Sequence, residues 1–74
     1  MNITDKKIFQ QAIIAHQEGK LKDAEASYKK IIELKPDYIS AHINYSILLT
    51  ELNRLKEAEI SCKKAIELQP DNAL

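Results

Sequence analysis

The sequence predicts an all-α fold of two helical hairpins in tandem. Residues 5–38 and 39–72 align without a gap, and 13 of the 34 aligned positions are identical. A repeat of this length is typical of helix–turn–helix arrays. The chain of 74 residues has one Gly and two Pro, which permits long helices. We therefore predict one domain over residues 1–74, with repeats at 5–38 and 39–72 and with 73–74 beginning a third repeat.

The predicted helices occupy about residues 3–17, 21–34, 38–51 and 55–68. Either Asn2 or Thr4 can cap the first helix, because a side-chain oxygen there accepts an unpaired backbone N–H. Gly19 ends that helix by supplying the left-handed residue that commonly follows a helix. Asn53 stands at the equivalent place in the second repeat, and Asn is the next-best residue in that conformation. Each repeat thus carries its own hairpin turn.

The second and fourth helices have the clearest helical pattern, and each stops before a proline, Pro36 and Pro70, which disfavours helical geometry at the residue before it. Their predicted apolar faces are Leu21, Ala24, Tyr28, Ile31 and Ile32 in the second helix, and Leu55, Ala58, Cys62, Ala65 and Ile66 in the fourth. The opposite faces alternate Glu and Lys at a spacing of four residues, which predicts a solvated outer surface.

Composition excludes several classes of function. The 11 basic and 11 acidic residues balance, so no net field attracts nucleic acid or an acidic membrane. Apolar runs are far shorter than the roughly 20 residues of a membrane span, and we find no secretory signal. The single cysteine, Cys62, forms no internal disulfide, and we expect it to be a small buried hydrophobe. We predict a cytoplasmic protein with no nucleic-acid or membrane partner.

No set of residues with catalytic or metal-binding spacing is present. His16 and His42 fall on different helices, and neither has Cys, Asp or Glu beside it at the spacing of metal ligands. We expect His16 to line a groove and His42 to pack within its hairpin. Gly19 is the only glycine, so the chain lacks a glycine-rich phosphate loop. We therefore predict a protein that is not an enzyme and has no catalytic residues, metal or cofactor.

The pattern resembles the tetratricopeptide repeat family over nearly the whole chain. The family's small residue in the second helix of each repeat matches Ala24 and Ala58, and its closing proline matches Pro36 and Pro70. Its aromatic one turn later matches Tyr28 but is replaced by Cys62 in the second repeat. Its next small residue matches Ala65 but is replaced by the larger Ile31 in the first repeat. The first helices match the family less closely. Lys20 and Arg54 stand where the family usually has Asp. The resemblance implies a right-handed solenoid fragment of antiparallel helix pairs.

The resemblance also implies a binding groove lined by the first helix of each repeat. The corresponding positions are Phe9, Gln10, Ile13, His16, Gln17, Ile43, Asn44, Ile47, Thr50 and Glu51. Gln10 and Asn44 are equivalent, and a carboxamide can pair with the backbone of an extended peptide of any sequence. An apolar stripe lies beside them. One subgroup of the family holds an acidic tail in a basic clamp, but Phe9 and Ile13 replace two clamp residues here.

Three functions remain open at this point. The first is an interaction module that binds a peptide or helix in the groove. The second is self-association, as a dimer or with further repeats of a longer chain, because the helix at 38–51 is apolar nearly all round and two repeats bury little surface. The third is a scaffold fragment ahead of a further domain, such as a transferase, with no ligand of its own.

Overall fold

The computed structural model describes residues 2–69. Its four helices are α1 (Ile3–Gln17), α2 (Leu21–Leu34), α3 (Ile39–Glu51) and α4 (Leu55–Leu68). The all-α prediction is confirmed, and α3 begins one residue later than expected, with Tyr38 as its N-cap. Pro70, which was predicted to end the fourth helix, lies outside the described residues.

The helix ends follow the predicted chemistry. Asn2 caps α1, because its side-chain Oδ1 accepts a hydrogen bond of 2.8 Å from the backbone N–H of Asp5. Gly19 and Asn53 both adopt a left-handed conformation, with φ of 77° and 61°. After α1 the backbone N–H of Lys20 donates to the Ala15 carbonyl, and Arg54 repeats this bond after α3. Each of these bonds satisfies a carbonyl that the helix end leaves unpaired, and because the bond is equivalent in the two repeats, both hairpins turn in the same way.

The helices pack in sequence, α1 on α2, α2 on α3 and α3 on α4, whereas α1 and α3 touch only marginally. Alanines lie at the crossings and allow close approach of the backbones. The main cluster of the buried core consists of Ala12, Ala24, Tyr28, Tyr45, Leu48, Leu49 and Ala58, and Ile31, Ala41 and Ala65 are buried as well. Because α1 and α3 are side by side yet barely in contact, a groove opens between them.

His42 joins α3 to the turn before it. The side chain is buried, with 6% of its surface exposed. Its Nε2–H donates a hydrogen bond of 2.7 Å to the carbonyl of Pro36. The histidine is buried, but its hydrogen bond goes to the turn between the two hairpins and not to a residue of its own hairpin, and its polar atom is satisfied as burial requires.

The predicted apolar face of α4 is partly wrong, and Cys62 is the clearest case. Cys62 is exposed rather than buried. Leu55 and Ile66 are also exposed, at 59% and 63%, whereas Ser61 is buried. The equivalent face of α2 packs on α3 and is covered. In the described part of the chain no helix follows α4, so the equivalent side chains of α4 are exposed to solvent.

Candidate functional site

A groove of about 390 Å³ lies between α1 and α3, above α2. Its lining residues are Ile13, His16, Gln17, Tyr28, Asn44, Ile47 and Glu51. Ile13 and Ile47 are the equivalent residues of the two repeats, and they form the apolar part of the lining. Ile47 is 48% exposed. Ile13 and Ile47 together give the groove an apolar surface beside its polar groups.

A chain of hydrogen bonds crosses the groove and joins three helices. His16 Nε2 lies 2.7 Å from Glu51 Oε1, which links α1 to α3. His16 Nδ1 lies 3.1 Å from the hydroxyl of Tyr28 on α2. The imidazole also packs edge-on against the Tyr28 ring, with a centroid distance of 5.9 Å. His16 therefore fixes the relative position of the two groove helices where their backbones barely touch.

The hydroxyl of Tyr28 has a second partner in Asn44. Burial raises the pKa of Tyr28, hydrogen bonding to the Asn44 side chain lowers it, and the Glu51 carboxylate raises it, with a net increase. Asn44 and Tyr28 thus lie next to each other in the lining of the groove.

The structure brings together six of the ten predicted groove residues: Ile13, His16, Gln17, Asn44, Ile47 and Glu51. Phe9 instead packs its ring on Tyr38, with centroids 4.8 Å apart. Thr50 donates a hydrogen bond to the carbonyl of Ser46 on its own helix. Gln10 and Ile43 are exposed and do not line the pocket. The expected pair of amides thus reduces to Asn44 at this site.

Sequence reasoning assigned Tyr28 to the core and missed its part in the groove. Only 1% of its surface is exposed, so the core assignment is correct for the ring. The hydroxyl, however, faces His16 and Asn44. A buried Tyr normally finds a hydrogen-bond partner, and this rule was the available signal. The partners lie 12 and 16 residues away on other helices, so helical spacing could not have shown them.

Three features are absent from residues 2–69: a metal-ligand cluster, a membrane-spanning helix and an unpaired buried polar side-chain atom. Within 2–69, no three His, Cys, Asp or Glu side chains converge as metal ligands would. Among the four helices, none is long and apolar enough to cross a bilayer. For the same range, every buried side-chain nitrogen or oxygen has a hydrogen-bond partner. The buried polar atoms are therefore paired, as burial requires.

Comparison with known proteins decides the family. A family model described as Tetratricopeptide repeat matches residues 15–74. The chain belongs to the tetratricopeptide repeat family. No curated protein and no solved structure matches it significantly. Tetratricopeptide repeat proteins generally mediate protein–protein interactions, and they are typically non-catalytic.

This tetratricopeptide repeat protein departs from the family at the start of the second helix of each repeat. Lys20 and Arg54 are the N-cap residues there, and neither side chain makes a capping hydrogen bond. Arg54 instead pairs with Glu25 of α2 at 2.7 Å and with Glu57 of its own helix. The substitution replaces a local cap with a link between the hairpins.

Proposed function

We propose that the groove between α1 and α3 binds a segment of a partner protein. The observation that carries this proposal is that Ile13, Ile47 and the amide of Asn44 line the same groove. Apolar walls supply contact area, and an amide with free hydrogen-bonding capacity pairs with a peptide backbone. Family membership supports a protein partner of this general kind.

The proposal is tested by selecting binders from a random peptide display library. Asn44→Ala removes the amide, and Ile47→Asp places a charge in the apolar lining. Both changes should raise the dissociation constants of the selected peptides by about tenfold or more, since loss of an interface anchor typically costs more than 1 kcal/mol. Ile60→Asp is the matched control, because Ile60 is 68% exposed on α4 outside the groove. Equal loss in all three variants, or no loss in either groove variant, would refute the proposal.

A second candidate is self-association through α4. Leu55, Cys62 and Ile66 are exposed, whereas the equivalent residues Leu21, Tyr28 and Ile32 of α2 pack into the core. A face with that pattern is stabilised when another helix covers it.

Sedimentation equilibrium over a range of concentrations tests this candidate. If the chain associates through this face, Ile66→Glu should shift the mass toward that of one chain, while Ile60→Glu should not. A wild-type protein that remains a monomer at every concentration would exclude the candidate.

A further inference from the structure

The polar groups of the groove have a fixed direction of hydrogen bonding. A carboxylate only accepts, so in the neutral imidazole of His16 the N–H must be at Nε2, facing Glu51. Nδ1 is then an acceptor, and the hydroxyl of Tyr28 donates to it. Both links run from Tyr28 toward Glu51, and Asn44 lies beside the same phenol in the groove lining.

Asn44 gives the groove a side-chain amide, whose oxygen Oδ1 accepts hydrogen bonds. Glu51 is 51% exposed and uses one oxygen for His16, so that its other oxygen is available. No Lys or Arg lines the groove. The groove therefore offers acceptors and a negative charge, between apolar walls.

Three of these residues form a row along α3. Asn44, Ile47 and Glu51 are spaced three and four residues apart, so they lie on one face of the helix. The row is about 10 Å long at 1.5 Å per residue. An amide acceptor at one end, an apolar surface in the middle and a carboxylate at the other match a long side chain with an aliphatic stem and a cationic head.

We propose that the groove selects an Arg or Lys side chain of an extended peptide. The backbone N–H of that residue donates to Asn44 Oδ1, its stem packs between Ile13 and Ile47, and its cationic group pairs with Glu51. This inference rests on the proposed function, because it requires that the groove bind a peptide. The groove is acidic through Glu51, whereas the clamp described above is basic and takes an acidic tail.

The test starts from the peptides selected against the wild-type protein. We expect Arg or Lys at one position among the binders. Replacing that Arg with citrulline, or that Lys with norleucine, removes the charge at nearly the same length. The dissociation constant should then rise about two- to fivefold, the range for a half-exposed ion pair.

Glu51→Gln shows whether Glu51 is the partner of that charge. In this variant the charged and neutral peptides should bind equally, while Glu33→Gln, at an exposed residue of α2, should keep the preference. Circular dichroism before each titration shows that the variants are folded. Binders without a basic residue, or a preference that survives in Glu51→Gln, would overturn this proposal and leave the proposed function standing. Failure to select any peptide would overturn both.

Discussion

Arg54 Nη1 lies 2.7 Å from Glu25 Oε2, and this contact joins the second hairpin to the first. The same guanidinium holds Glu57 through two hydrogen bonds of 2.8 and 2.7 Å. These bonds, the one to Glu57 most strongly, raise the pKa of Arg54 above its usual value. One side chain therefore connects α2 with the start of α4, and it also lies beside the hydroxyl of Tyr45 on α3.

Arg54→Ala should lower the free energy of unfolding, and the loss should shrink in high salt because the contacts are electrostatic and near the surface. A double-mutant cycle with Glu25→Gln, followed by urea unfolding, isolates the link between hairpins. We expect the two single changes to cost more in sum than the double variant. Lys56→Ala, at an exposed residue of the same helix, is the control and should have little effect. Additive costs would mean that Arg54 and Glu25 are not coupled.

The Arg54 contact should also shape the stability at acid pH. Hydrogen bonding to Arg54 is the main cause of the lowered pKa of Glu57. A carboxyl with a lower pKa in the folded state stabilises the fold above its unfolded pKa, and that contribution is lost as pH falls through the folded pKa. Urea midpoints measured from neutral pH down to about pH 3 should therefore fall less steeply in Arg54→Ala than in the wild type. Parallel curves would contradict this assignment.

Gly19 is required by backbone conformation alone. Its φ is 77°, and a Cβ added there would meet no heavy atom within 4 Å. Gly19→Ala should therefore cost about 1 kcal/mol of unfolding free energy, the strain of a left-handed residue, with no steric clash. Asn53→Gly is the complementary change, and it should be neutral or slightly stabilising because Asn53 has φ of 61°. A thermal melt of both variants checks the pair, and a Gly19→Ala protein as stable as wild type would be inconsistent with the turn described here.

The helices were predictable because their limits are local. Gly19 and Pro36 act on the residues next to them, so the bounds of α1 and α2 follow from the sequence directly. The exposure of Cys62 was not predictable in this way. Its helical spacing equals that of Tyr28, but burial depends on whether another helix covers the face, and the pattern within one helix does not contain that fact.

The groove shows the same limit. His16 and Glu51 are 35 residues apart in sequence. Their contact depends on the relative position of α1 and α3, which only packing determines. Family resemblance placed both residues on the groove side, but it gave no sign that Tyr28 joins them from below. The hydrogen-bond partner of a side chain is therefore less predictable than the helix face on which it lies.

Ala24 tests the close approach of the helices. It is fully buried, at 0% exposure, where α2 meets its neighbours. Ala24→Leu should cost about 1–3 kcal/mol of unfolding free energy, because a tightly packed crossing cannot admit a larger side chain without moving a helix. Ala26→Leu makes the same chemical change on the exposed side of α2 and should be nearly neutral. Urea unfolding of both variants gives the comparison. A similar loss for both would point to helix propensity instead of packing.

Tyr28→Phe should destabilise the fold at neutral pH and do so less at alkaline pH. At neutral pH the change leaves His16 Nδ1 and the Asn44 amide without their partner, at a cost of about 1–2 kcal/mol. Burial raises the pKa of the wild-type phenol above its ordinary value of 10.0. The unfolded chain therefore ionises first, and the wild type loses stability as pH rises from about 10 through the folded pKa.

Phenylalanine cannot ionise, so this alkaline loss is smaller in the variant, and the difference in unfolding free energy between the two proteins should narrow. Urea unfolding at pH 7 and at about pH 11 measures this difference, called the gap below. Tyrosinate absorbance at the same pH values shows which tyrosines have ionised. Tyr38→Phe is the control for the cost at neutral pH, because no groove contact is lost with its hydroxyl. Burial also raises the pKa of Tyr38, so we expect a similar alkaline trend in that variant without the loss at pH 7. An unchanged gap between wild type and Tyr28→Phe at the two pH values would show that the hydroxyl of Tyr28 is not held neutral by the fold.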